Sequence, residues 1–125
     1  MVLDREFPPD IRVENEISAL FHAGHEIHIA CYSRKNKPVH EVTEQVIIHR
    51  KSISVLNYKL SVASLTLPNY FLFWERFLRI LLKDQSFDVL HIHDLPLVGV
   101  GVRLKKEFGL KLVADLHENW AAYLK

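Results

Sequence analysis

The sequence predicts an α/β protein built on a doubly wound parallel sheet, and three observations carry that reading. Short apolar runs alternate along the chain with segments of helical periodicity, the order that specifies parallel strands joined by crossover helices. Two of these runs share one design near the C-terminal end: Phe87-Asp88-Val89-Leu90-His91-Ile92-His93-Asp94 and Lys111-Leu112-Val113-Ala114-Asp115-Leu116-His117-Glu118. Each ends in a histidine followed by a carboxylate, with a helical pattern between them. In open α/β sheets ligands bind at this carboxyl edge, where strand ends and helix N-termini converge. Finally, 49% of the 125 residues are apolar and 25% charged, a globular composition. A chain of this length forms one domain burying roughly two-thirds of its unfolded surface.

The elements follow in order. Met1 to Asp4 reads as the end of a first strand. Phe7-Pro8-Pro9-Asp10 is a loop, because proline cannot donate to a ladder and keeps the residue before it extended. Asp10 is placed to cap a helix whose buried stripe is Val13, Ile17, Leu20 and Phe21, and Gly24 sits where a left-handed C-terminal residue is needed. Ile27 to Cys31 is a second strand, Ser33 to Pro38 a basic turn, and Val46 to His49 a third strand toward an edge. Residues 51–66 read as irregular or a short strand. A helix runs from about Asn69 to Leu82, with Tyr70, Trp74, Phe77, Leu78 and Leu81 on its inner face. Val89 to His93 is the fourth strand. Asp94 can cap the next helix, with Pro96 in its first turn and Leu97, Gly101, Leu104 and Phe108 as its core stripe. Gly99 and Gly101 let that helix approach the sheet, Gly109 ends it, and Lys111 to Asp115 is the fifth strand.

Composition excludes several classes. Sixteen Lys and Arg against 15 Asp and Glu leave no basic excess of the kind a nucleic-acid surface shows. The single cysteine, Cys31, excludes an internal disulfide and fits a reducing, cytoplasmic compartment; in an apolar strand it reads as a buried, inert thiol. The N-terminus meets charge too soon for a secretory signal. The most apolar stretch, 70–82, contains Glu75, Arg76 and Arg79 and is too short to span a bilayer. Of the eight histidines, His22, His25 and His28 flank a turn, where exposure is the default. The first strand-to-helix turn has no glycine, so the dinucleotide-binding fingerprint is absent.

Three motifs, in this order and spacing, resemble the N-terminal domain of retaining glycosyltransferases of the GT-B fold (glycosyltransferase family 4-like). They are Phe7 to Glu14 followed by Ala23-Gly24-His25-Glu26-Ile27-His28-Ile29, then Phe87 to Pro96, then Lys111 to Glu118. The resemblance implies a two-domain enzyme that moves a sugar from a nucleotide-sugar donor to a glycan or lipid-linked acceptor, as in cell-surface polysaccharide biosynthesis. It implies an acceptor-side, Rossmann-like half here, truncated after the fifth strand, with the donor-binding half absent and the fragment inactive alone. No cofactor and no metal are implied; the nucleotide sugar is a co-substrate. His117 is the expected catalytic residue, reaching the transferred sugar with an imidazole that can donate or accept near neutral pH. The competing reading has it cap the following helix. His93, Asp94, Asp10, Arg12 and Glu118 are expected around the acceptor, with His93 and His117 emerging side by side into solvent. Competing roles are caps and packing for His93 and Asp94, and a cap with a salt bridge to Glu14 or Glu16 for Asp10 and Arg12. His91 is expected as a hydrogen-bonded core histidine. A metal cluster of His91, His93, Asp94, Asp115, His117 and Glu118 fits ligand spacings poorly.

Lipid-linked acceptors imply peripheral contact with the inner face of a membrane through the helix bearing Arg76, Arg79 and Lys83, although burial explains the same stripe more simply. An unpaired fifth strand would favour self-association. A different class, a non-catalytic flavodoxin-like binding or interaction module, remains the alternative.

Overall fold

The computed structural model describes residues 1–62 and 68–116. They fall into two compact units, one formed by Met1 with 3–53 and the other by Val2 with the residues from 54 onward.

The first unit is a three-stranded sheet carrying one helix. Helix α1 (Ile11–His22) starts at Asp10, whose carboxylate accepts the Arg12 and Val13 amide protons at 3.2 and 3.3 Å. Glu14 returns the favour by accepting the Asp10 N–H at 3.1 Å, so the first turn's orphan donors are satisfied in both directions. Gly24, at φ 87°, makes the left-handed exit that a side chain would resist. Strand β1 (His28–Ser33) runs parallel to β3 (Ile47–Ser52), with His28 opposite Ile47 and Ala30 opposite His49. Leu3 donates to the Ala30 carbonyl and Ala30 to that of Met1, which makes the N-terminal residues a further partner of β1. The core is Leu3, Phe7, Val13, Ile17, Ile27, Ile29, Cys31, Val46 and Ile48, against which Leu20 and Phe21 pack. Burial pushes the Cys31 thiol up to about 11, as expected of an inert structural cysteine.

Two expectations for this unit are corrected. β3 is central rather than at the edge, because β2 (His40–Val42) pairs with it antiparallel and makes the sheet mixed. The connecting turn lacks glycine and is closed by the Thr43 hydroxyl, which donates to the Val46 carbonyl and accepts its N–H. Without a glycine signal, and with only three residues in β2, the hairpin was not legible. His28 is also buried, not exposed.

The second unit holds strands β4 (Val89–Ile92) and β5 (Lys111–Ala114), which pair in parallel from Val89 opposite Lys111 to Ile92 opposite Ala114. Val2 forms a parallel bridge to Ile92 on the other side of β4. Residues 51–66 are corrected in part: 51 and 52 complete β3, and helix α2 (Val55–Val62) follows. Ser54 starts α2, its hydroxyl accepting the Asn57 N–H and its carbonyl that of Tyr58. A serine before a helical run is the signal that marks this start. Helix α3 (Asn69–Asp84) buries Tyr70, Trp74, Phe77 and Leu78 as expected. Its outer side is tied down by ions: Arg79 bridges Glu75 and Glu107, both at 2.9 Å, and Arg103 reaches Glu75 at 3.0 Å. No described helix is long and apolar enough to cross a membrane.

Helix α4 (Val98–Phe108) ends at Gly109, φ 69°. At Gly101 an added Cβ would lie 2.9 Å from Ile92 Cγ1 and 3.1 Å from Leu112 Cδ1, so helix and strands do approach too closely for a side chain. Gly99 differs: a Cβ there would meet only the Arg103 guanidinium, at 3.9 Å, so it serves no close approach.

Candidate functional site at the strand ends

β4 and β5 deliver their terminal residues side by side. The ladder continues one step past the strands, the Asp115 N–H donating to the Ile92 carbonyl at 2.9 Å. This brings His93 Nδ1 to 3.6 Å from Asp115 Oδ2. Side chains two apart on a strand share a face, and the His91 and His93 rings accordingly stack, centroids 4.2 Å apart and planes 26° apart. Burial holds the His91 pKa below its ordinary value, with the Asp115 carboxylate opposing that shift.

His93 therefore does not emerge into solvent as expected; it is fully buried. The stacking partner below and the carboxylate beside it hold the ring along the strand face. Asp115 is partly exposed and forms the outer member of the pair. Asp94 is 8% exposed, and its carboxylate does not cap the helix. Instead its backbone carbonyl accepts the Leu97 N–H, and a 3-10 turn (Leu95–Leu97) carrying Pro96 precedes α4. A proline two residues after Asp94 favours this tighter turn, because it has no N–H to donate to a capping carboxylate. His117 and Glu118 lie outside the described residues.

Asp10 and Arg12 belong to the first unit. Asp10 accepts from Arg5 at 3.2 Å, and the Arg12 guanidinium lies 3.7 Å from the same oxygen. Arg12 pairs with Asp10, while Glu14 accepts the Asp10 N–H at the helix start. The Asp10 carboxylate thus serves the helix start and two arginines at once.

Two functional-looking groups escaped sequence reasoning. Asp115 is expected from sequence as the end of the fifth strand and a member of a metal cluster, whereas the structure sets it one step past β5, beside His93. Arg50 is 2% exposed. Its Nε and Nη2 donate to the Phe7 carbonyl, its Nη1 donates to that of Pro38, and Nη2 lies 2.7 Å from Glu41 Oε2. Nothing in the order His49-Arg50-Lys51 distinguishes that arginine from a surface cation.

A profile of the glycosyl transferase 4-like domain matches residues 9–125, nearly the whole chain. The chain belongs to that family. No curated protein and no solved structure matches it. The ends of β4 and β5, where the sequence leads one to expect a ligand-binding edge, carry His93, Asp94 and Asp115.

Proposed function

We propose that this domain is the acceptor-binding, Rossmann-like half of a retaining GT-B glycosyltransferase, with sugar transfer requiring a separate donor-binding half. The observation that carries the reading is the parallel β4–β5 pair, which ends in His93, Asp94 and Asp115 with His117 and Glu118 next in the chain. His117 is assigned the contact with the transferred sugar, and Asp94, Glu118, Asp10 and Arg12 contacts with acceptor hydroxyls or anionic groups. His93 is reassigned from contact to positioning: buried between His91 and Asp115, it aims the carboxylate rather than touching a substrate. An imidazole packed against one ring and beside a carboxylate constrains where that carboxylate can point, which suits support of a sugar-binding edge.

The test is titration calorimetry on this domain and on a protein that also carries the donor-binding half, using UDP- and GDP-hexoses and oligosaccharide acceptors. The domain is expected to bind acceptors and leave nucleotide sugars unbound, while the two-half protein binds both. Tight nucleotide-sugar binding by the domain alone would overturn the assignment. In the two-half protein, His117→Ala is expected to lower kcat about 100-fold or more, the range for loss of a group acting in proton transfer or transition-state stabilisation. A kcat within threefold of the parent would remove His117 from the chemistry.

A further inference from the structure

We propose that His28, His49 and His40 form a proton-limited latch that holds β2 on β3 near neutral pH and releases it in acid. The three imidazoles lie on one face of three neighbouring strands. His40 is directly opposite His49 in the antiparallel pair, and His28 is two residues before Ala30, the parallel partner of His49. His28 Nδ1 and His49 Nε2 are 2.9 Å apart with ring planes only 11° apart, and the His40 ring lies 5.1 Å from that of His49.

The tautomers follow from the partners. Glu26 Oε1 lies 2.8 Å from His28 Nε2, and an ionised carboxylate can only accept, so His28 carries its proton on Nε2. The Nδ1 of the neutral ring is then a lone pair, and His49 must donate to it through Nε2–H. One added proton leaves this contact standing when it goes to His28, whose Nδ1–H then donates to His49 Nε2 as the proton of His49 moves to its Nδ1. A second puts two N–H groups face to face across 2.9 Å in a place where both rings are under one-tenth exposed. Burial first, then the positive charges of His28 and His40, holds His49 unprotonated down to about pH 4.

The groups facing His49 are His28 from β1, backed by Glu26, His40 from β2, and the Met1 amino group, whose positive form adds to the same repulsion. β2 is the element that yields, being three residues long, half exposed and outermost in its sheet. Acid also threatens the Glu41–Arg50 ion pair, which ties β2 to β3 independently, so a test must separate the two.

Hydrogen exchange on the whole chain provides the separation. If the His49 ring is solvated when β2 opens, its affinity for protons returns to an ordinary value, and linkage raises the opening equilibrium by about 30-fold between pH 7.5 and 5. Protection factors of the Thr43 and Arg50 amides, which donate to the Val46 and Val39 carbonyls, are therefore expected to fall by at least tenfold. Those of Ile47 and Ile53, which donate to β1 and its flanks, should stay within threefold. His49→Gln keeps a donor but cannot titrate, so its hairpin protection should vary less than threefold over the same range. An unchanging hairpin in the parent chain, or an equal loss in His49→Gln, would overturn the latch. If His49→Gln does not fold, nitrogen-detected NMR of the parent rings decides it. Nε2–H on both His28 and His49 at pH 7.5 is required, and an imidazolium at His49 by pH 6 refutes the proposal.

Discussion

At the scale of single residues, buried polar groups matter most where one side chain satisfies several partners. Arg50 supplies three hydrogen bonds to the Phe7 and Pro38 carbonyls, in loops that have few other donors to offer. Arg50→Met keeps much of the volume but leaves those carbonyls without a donor. We expect about 2–3 kcal/mol of destabilisation by urea unfolding, the usual cost of stranding buried acceptors. Arg50→Lys should rescue little, because a single ammonium cannot reproduce the fork; recovery to the parent midpoint would show that charge alone matters there. The two glycines of α4 make an internal control. Gly101→Ala forces its Cβ into Ile92 and Leu112, with an expected cost of about 1–3 kcal/mol. Gly99→Ala meets nothing but the end of Arg103 and should be neutral or stabilising by about 0.5 kcal/mol. Equal effects would mean that the Gly101 contact relaxes freely.

At the scale of elements, helix starts and strand edges decide what is robust. The α1 terminus depends on Asp10, which caps two amides and pairs with Arg5 and Arg12. Asp10→Ala should cost about 1 kcal/mol, and Asp10→Asn, which still caps, noticeably less; chemical denaturation followed by circular dichroism distinguishes them. Strand β5 is in the opposite position. Among the described residues it pairs with β4 alone, and Lys111, Val113 and Ala114 are exposed. Such an edge is a template for another strand, so we expect concentration-dependent self-association in light scattering, reduced by Val113→Lys. A strictly monomeric parent at high concentration would contradict this.

For the molecule as a whole, pH is the revealing variable. His49 is held unprotonated to about pH 4 in the folded chain, against about 6.5 for an unperturbed histidine. Its folded-state pKa is depressed, so the unfolded chain binds more protons between these values. The associated stability is complete above about pH 6.5, falls as pH drops from there, and is fully lost near pH 4. The loss is at most about 3 kcal/mol. Unfolding free energies measured from pH 7.5 to 4 should show this decline, and His49→Gln should flatten it; a pH-independent parent would exclude a strained imidazole. Glu75 and Glu107 work at the other end of the scale. Their carboxyls sit below the usual carboxylate range, through hydrogen bonds from Arg79, and Glu107 at least is too exposed for its ion pair to govern global stability.

Local chemistry made much of this protein legible in its sequence. Asp10 and Gly24 bound α1, a stripe from Tyr70 to Leu78 sets the buried face of α3, and Gly109 ends α4, because caps and periodicity act over a few residues. The two apolar runs likewise announced β4 and β5 as parallel neighbours, since a helix-length connection between them permits little else. The tertiary structure alone decided which polar residues are buried and with whom. His93 stacks on His91 beside Asp115, His28 meets His49 across 21 residues, and Arg50 reaches Phe7 across 43. Those outcomes depend on strand register and on partners distant in the chain. A charged or imidazole side chain carries no local sign of whether such a partner will be there.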